Sequence, residues 1–147
     1  MPHTALLISV RPRFADQIFA GTKSVELRRL RPRIDKGDMV LVYVSAPVMA
    51  LVGAFEVNEV ASGTPNSIWR RFNGGSGLSR AEFDQYYRGK QKAFAILIGR
   101  RWRLPSPVTL ATLRKHKNGF HPPQSFHYMS RSTFPRITRI ANELRQR

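Results

Sequence analysis

Cysteine is absent from the 147-residue chain. Disulfides, thiolate metal sites and a cysteine nucleophile are therefore excluded. Acidic residues are scarce: 9 Asp and Glu stand against 25 Lys and Arg, a formal net charge of +16. Folding needs no such excess and loses some stability to self-repulsion, so the imbalance points to a polyanionic partner, nucleic acid first. An acidic protein or an anionic membrane would satisfy the same charge. A GC-rich coding bias explains the preference for Arg over Lys but not the shortage of acids. Long apolar runs are also missing. Nothing approaches the roughly 20 residues that cross a bilayer. The run Ala5 to Val10 has no basic segment before it and no small-residue cleavage site after it, so it does not read as a signal peptide. The expected compartment is the cytoplasm, with no membrane partner.

A hydrophobic fraction of 41% supports a real core. The length fits one domain, taken as 1–147 with 131–147 as a terminal helix. Ala5 to Val10 reads as a buried first strand. Pro12 opens a short helix carrying Phe14, Ile18 and Phe19, and Gly21 stops it. Ser24 to Leu30 alternates as a second strand, with Val25 and Leu27 on one face and Glu26 and Arg28 on the other. Met39 to Val44 and Ala50 to Val60 follow as strands, with Gly53 marking a bulge or a close backbone approach. Thr64 or Pro65 starts a helix through Phe72, and Gly74 to Gly77 reads as a mobile flap without a Walker pattern. Ser79 and Glu82 form a capping box for another helix. Ala93 to Ile98 is a fifth strand that runs on towards Arg103 until Pro105 and Pro107 end it. A short helix is expected at Leu110 to Leu113. Pro122 to Tyr128 gives a last strand, and Ile137, Ile140, Ala141 and Leu144 give a C-terminal amphipathic helix. The order suggests an α+β fold, a small mixed β-barrel decorated by helices.

The most informative segment is Gly21-Thr22-Lys23-Ser24-Val25-Glu26-Leu27-Arg28. A helix ends at glycine, and Lys, Glu and Arg gather where the next strand opens. With "Leu7-Ile8-Ser9-Val10-Arg11-Pro12", "Phe14-Ala15-Asp16-Gln17-Ile18-Phe19-Ala20-Gly21", "Val42-Tyr43-Val44-Ser45-Ala46-Pro47", "Val52-Gly53-Ala54-Phe55-Glu56-Val57", "Phe83-Asp84-Gln85-Tyr86-Tyr87-Arg88-Gly89" and "Pro122-Pro123-Gln124-Ser125-Phe126-His127-Tyr128", it resembles the ASCH family of PUA-like domains over residues 5–130. The resemblance implies a PUA-like β-barrel with a cleft beside the first helix and a role in RNA metabolism, since related PUA, EVE and YTH domains bind RNA or modified bases. One family branch deacylates acetylcytidine with a lysine at the position of Lys23, a threonine three residues on and a distant glutamate. Another family type is a ribonuclease. This sequence departs from the first pattern, because Glu26 stands at the threonine position. A carboxylate does not simply replace a hydroxyl activated by lysine.

Two roles for the segment follow. Lys23 and Glu26 could form an acid–base pair. Alternatively Lys23 and Arg28 hold a phosphate or base edge while Glu26 orients them or accepts a base amino proton. The second needs no activated nucleophile and is favoured. Arg11 extends the basic surface. Tyr43 and Ser45 share strand parity and would offer a stacking ring and a hydroxyl, Trp69 another ring, and Ser125 a hydroxyl behind the diproline. His116, His121 and His127 lack a metal-ligand pattern, so no metal site and no cofactor are expected, a divalent ion entering only with a nuclease. The leading expectation is a domain that grips single-stranded or modified RNA. The alternatives are a small hydrolase, either a ribonuclease or an acetylcytidine-type amidohydrolase, and a transcription-related regulatory adaptor. No oligomeric state is assigned.

Overall fold

The computed structural model describes residues 5–129 and 134–146. The expected boundary between 130 and 131 lies outside the described residues. Six strands form one sheet: β1 (Ala5–Val10), β2 (Val25–Arg28), β3 (Met39–Val44), β4 (Ala50–Gly63), β5 (Ala93–Thr109) and β6 (Phe126–Met129). Their order across the sheet is β2-β5-β4-β3-β1-β6. Among the described residues only β1 and β3 run parallel, Ala5 opposite Met39 through Val10 opposite Val44, and the other pairs are antiparallel. The sheet curls into a half-barrel whose edge strands are β2 and β6. The result is an α+β architecture with the expected C-terminal helix in place.

Both faces of the curl are buried, which is why β3 reads as an unbroken apolar run and β1 as one interrupted by Ser9. On one face Leu7, Met39, Leu41 and Tyr43 pack against α4 (Leu110–His116) and α5 (Pro135–Arg145) through Leu110, Leu113, Ile137 and Ala141. On the other, Leu6, Ile8, Val10, Val40, Val42 and Val44 pack on Ala15 and Ile18 of α1 (Pro12–Ala20). A third cluster lies under α2 (Pro65–Phe72) and α3 (Arg80–Tyr86), where Ile68 and Phe83 cover Val25 and Leu27. Thr64 caps α2, and Ser79 and Glu82 close the expected capping box on α3.

Two local readings are corrected. Strand β5 does not stop at Pro105 but continues to Thr109. Its register against β4 jumps from Gly53 opposite Arg103 to Leu51 opposite Val108. Both prolines therefore fall in a bulge, where no ladder N–H is required of them. The glycine-rich segment is not a loose flap. Asn73–Gly75 form a 3-10 turn, the Ser24 N–H donates to the Gly75 carbonyl at 2.8 Å, and Ser76 is buried. Gly53 sits where the sequence placed a close approach: a Cβ there would lie 2.5 Å from the Trp102 carbonyl oxygen and 2.6 Å from the Phe19 ring.

Candidate functional site

The helix α1 ends on Gly21, whose φ of 88° is the left-handed cap conformation that glycine adopts without penalty. The chain then turns through Lys23 into β2. Four hydrogen bonds fix that corner. The Lys23 N–H donates to the Gln17 carbonyl, the Ile98 N–H donates to the Ser24 carbonyl, and the Arg101 guanidinium donates to the carbonyls of Ile18 and Lys23 at 2.8 and 3.1 Å. Strand parity sends Val25 and Leu27 into the cluster beneath α3 and Glu26 and Arg28 to the opposite face.

Lys23, Glu26 and Arg28 meet there, 3%, 7% and 6% exposed. The Lys23 Nζ lies 3.3 Å from Glu26 Oε1, and Arg28 Nη2 bonds Glu26 Oε2. Lys23 also donates to the Ser76 carbonyl, and Arg28 Nη1 donates to the Ser125 carbonyl at 2.9 Å. Arg28 Nε is buried with no hydrogen-bond partner among the described residues. Burial pulls the Lys23 ammonium below its ordinary pKa, against the opposing pull of Glu26. Burial pushes the Glu26 carboxyl up, but Arg28 and Lys23 together outweigh it and hold the group below the usual carboxylate value. Glu26 is thus an ionised carboxylate held between the Lys23 amino group and the Arg28 guanidinium.

This trio floors a cleft of about 760 Å³ between the tip of β1, the start of α1, the wall of α3 and the segment before β6. Arg11 and Phe14 line one side, Glu82, Gln85 and Tyr86 the other, and Gln124 and Ser125 the end. Arg13 of α1 pairs with Glu82 of α3 at 2.7 Å. Tyr86 and Tyr87 brace β2 from outside, their hydroxyls donating to the carbonyls of Leu27 and Arg28.

Of the residues singled out in the sequence, Arg11, Lys23, Glu26, Arg28 and Ser125 come together at this cleft. Tyr43, Ser45 and Trp69 do not line it. Tyr43 has the parity of Met39 and Leu41, so it is buried on the α4 and α5 face, where burial raises its hydroxyl pKa. Ser45 sits at the end of β3, its backbone N–H on the Val10 carbonyl. Trp69 packs against Phe83, ring centroids 5.0 Å apart and planes tilted by 57°, with the Arg80 guanidinium over its ring. Glu82, Gln85 and Lys90 of the cleft wall carry no direct site signal in the sequence, whereas Tyr86 reads there as a lesser candidate stacking ring and Arg101 as part of a diffuse basic segment. The capping box that fixes Glu82 was the available signal for the wall. Among the described residues no group of three His, Cys, Asp or Glu could hold a metal ion, and no helix is long and apolar enough to cross a membrane.

A curled, helix-flanked half-barrel is the architecture of the solved ASCH structures that this chain matches. The chain belongs to the ASCH domain family, whose profile matches residues 8–102. It is 28% identical over 138 residues to an ASCH domain-containing ribonuclease of Zymomonas mobilis, covering 94% of this chain and 93% of that protein. The crystal structure of ASCH from Zymomonas mobilis superposes with a TM-score of 0.86 at 27% identity, covering 92% of this chain and 94% of the other. A large ribosomal subunit protein uL22 of Ureaplasma parvum is 34% identical over 84% of this chain, which spans 39% of that protein.

Proposed function

We propose that the chain binds single-stranded or modified RNA in the cleft, with Lys23, Glu26 and Arg28 as its charged floor. The observation that carries this reading is the buried trio itself. A fold gains little from burying ions, since apolar residues of similar volume are as stabilising or more so. Two cations around one carboxylate leave a net positive floor, preorganised for a phosphate or for the acceptor edge of a base. Lys23 has used two of its three N–H donors, and Glu26 keeps lone pairs free, so donor and acceptor stand side by side.

Cleavage of the bound strand is the second reading. It is favoured by the name of the Zymomonas relative, which aligns over nearly its whole length, and by the lowered pKa of Lys23, which suits a lysine that exchanges a proton. One experiment tests both. Wild-type protein and Lys23→Met are titrated with a labelled single-stranded RNA and a DNA duplex, then incubated with the RNA with and without divalent metal. Lys23→Met keeps side-chain volume and leaves Glu26 paired with Arg28. Its RNA affinity should fall at least about tenfold, with wild type preferring RNA over duplex. Full affinity in Lys23→Met would overturn the cleft assignment. Cleavage that survives in the variant would place that activity elsewhere.

A further inference from the structure

The two edges of the half-barrel approach each other without a backbone ladder. Strand β2 and strand β6 lie at opposite ends of the sheet order. Yet Arg28 on β2 donates to the Ser125 carbonyl just before β6, and the Arg33 backbone N–H donates to the Tyr128 hydroxyl on β6 at 2.8 Å. The chain that leaves β2, residues 29–34, is therefore a strap across the seam, beginning at the cleft and ending on β6. Its side chains are unusual for a connection. Arg29, Arg31 and Arg33 are exposed, and Leu30 is 65% exposed, the most exposed of the large apolar side chains. No acid lies among residues 29–34.

Two of these arginines lie on aromatic rings. The Arg29 guanidinium is 4.8 Å from the centroid of Tyr86, which is itself part of the cleft wall. The Arg33 guanidinium is 4.6 Å from the centroid of Tyr128. Both guanidinium groups lie within contact distance of their rings and both arginines are exposed, and bases stack on arginine planes as they do on aromatics. Two of the eight cation–ring pairs among the described residues thus lie within five residues of each other on the strap, Arg29 and Tyr86 in the cleft lining and Arg33 and Tyr128 outside it. Four residue steps span at most about 14 Å, so the platforms are close enough for one strand to use both.

We propose that the strap 29–34 is an extension of the binding site that takes a single RNA strand as it leaves the cleft, with Arg29 on Tyr86 and Arg33 on Tyr128 as successive stacking platforms for bases. This rests on the RNA reading above and narrows its substrate class. The ligand is an oligonucleotide strand, read without base preference along the strap, rather than a free nucleoside or mononucleotide. Leu30 adds an apolar contact between the platforms, and Arg31 an unstacked cation for the backbone.

The test uses the full chain and a length series: uridine monophosphate, then oligouridylates and oligoadenylates of two, four and eight nucleotides, with binding measured by competition against a labelled octamer. Wild-type affinity should rise at least tenfold between the mononucleotide and the tetramer, in both base series. The Arg29→Ala/Arg33→Ala variant should lose most of that gain, and Arg33→Ala alone, whose guanidinium lies outside the cleft lining, should lose part of it while binding the mononucleotide like wild type. Arg29→Lys/Arg33→Lys keeps the charge and removes the planes, so it should lose most of the gain as well. Both positions are exposed, and melting curves like that of wild type confirm folding. If the alanine variant shows the full length dependence, the strap proposal is overturned while the cleft reading stands. If the lysine variant matches wild type, stacking is overturned in favour of bare charge. If wild type binds no oligonucleotide at all, the RNA reading falls and takes this proposal with it.

Discussion

Glu26 holds two buried cations with one carboxylate, and removing its charge strands both. Breaking a buried ion group by deleting one partner costs about 3–5 kcal/mol, so Glu26→Gln should melt well below wild type at neutral pH. The pH dependence sharpens this. Glu26 titrates below 4.5 in the fold. Between its folded and unfolded pKa the unfolded chain binds more protons, so stability falls as pH drops through that window. The lowered Lys23 pKa acts with the same sign in the window below 10.5. Glu26→Gln should therefore show a shallower loss of melting temperature than wild type on acidification below about pH 5. Glu82, held at about 2 by the Ser79 backbone and Arg13, contributes equally to both proteins. Parallel acid limbs in the two proteins would show that the trio is not coupled to stability in this way. The same trio marks what residue-level reading could and could not do. Glu26 and Arg28 were placed on one face because strand parity is a covalent fact. Tyr43 was assigned to the cleft because β3 is apolar on both faces, so alternation offered no polar side from which to tell cleft from core.

Elements were readable where capping chemistry or periodicity is local, and misread where a tertiary partner decides. The Pro12 start and Gly21 stop of α1 and the Ser79–Glu82 box came directly from sequence. The continuation of β5 through Pro105 and Pro107 did not, because it depends on a bulge defined by the register of β4. The glycine-rich turn reads as mobile because glycine permits motion, but the Ser24 and Lys23 bonds that pin it come from a segment far away along the chain. Gly53 joins these elements. A Cβ there would meet both the β5 backbone and the Phe19 ring of α1. The backbone oxygen cannot yield, so Gly53→Ala should overpack the junction and cost about 1–3 kcal/mol. Phe19 lies two residues before the Gly21 cap, so RNA affinity should fall along with the melting temperature. A variant that melts like wild type would mean that the β4–β5 junction opens at little cost.

At the scale of the whole molecule, the charge of +16 becomes useful only through its placement. The buried cations Lys23 and Arg28 are largely committed to Glu26. The exposed cations whose charge can neutralise phosphates around the cleft and strap are Arg11, Arg31 and Lys90 together with Arg29 and Arg33, which keep their charge while their planes stack on bases. Bulk composition could say that a polyanion was wanted, but not which arginines share a surface, because the strap acquires its position only when β2 and β6 meet at the seam. Five phosphate contacts on a single strand predict that the logarithm of the RNA association constant falls against the logarithm of salt with a slope of about −3 to −4. The Arg29→Ala/Arg33→Ala variant should flatten the slope by about one unit or more, whereas Lys23→Met, which removes a buried charge, should weaken binding with a smaller change in slope. Titrations of all three proteins at four or five salt concentrations decide between these sources of affinity. A slope near zero in wild type would mean that base contacts on the cleft floor, rather than the basic rim, supply the binding energy.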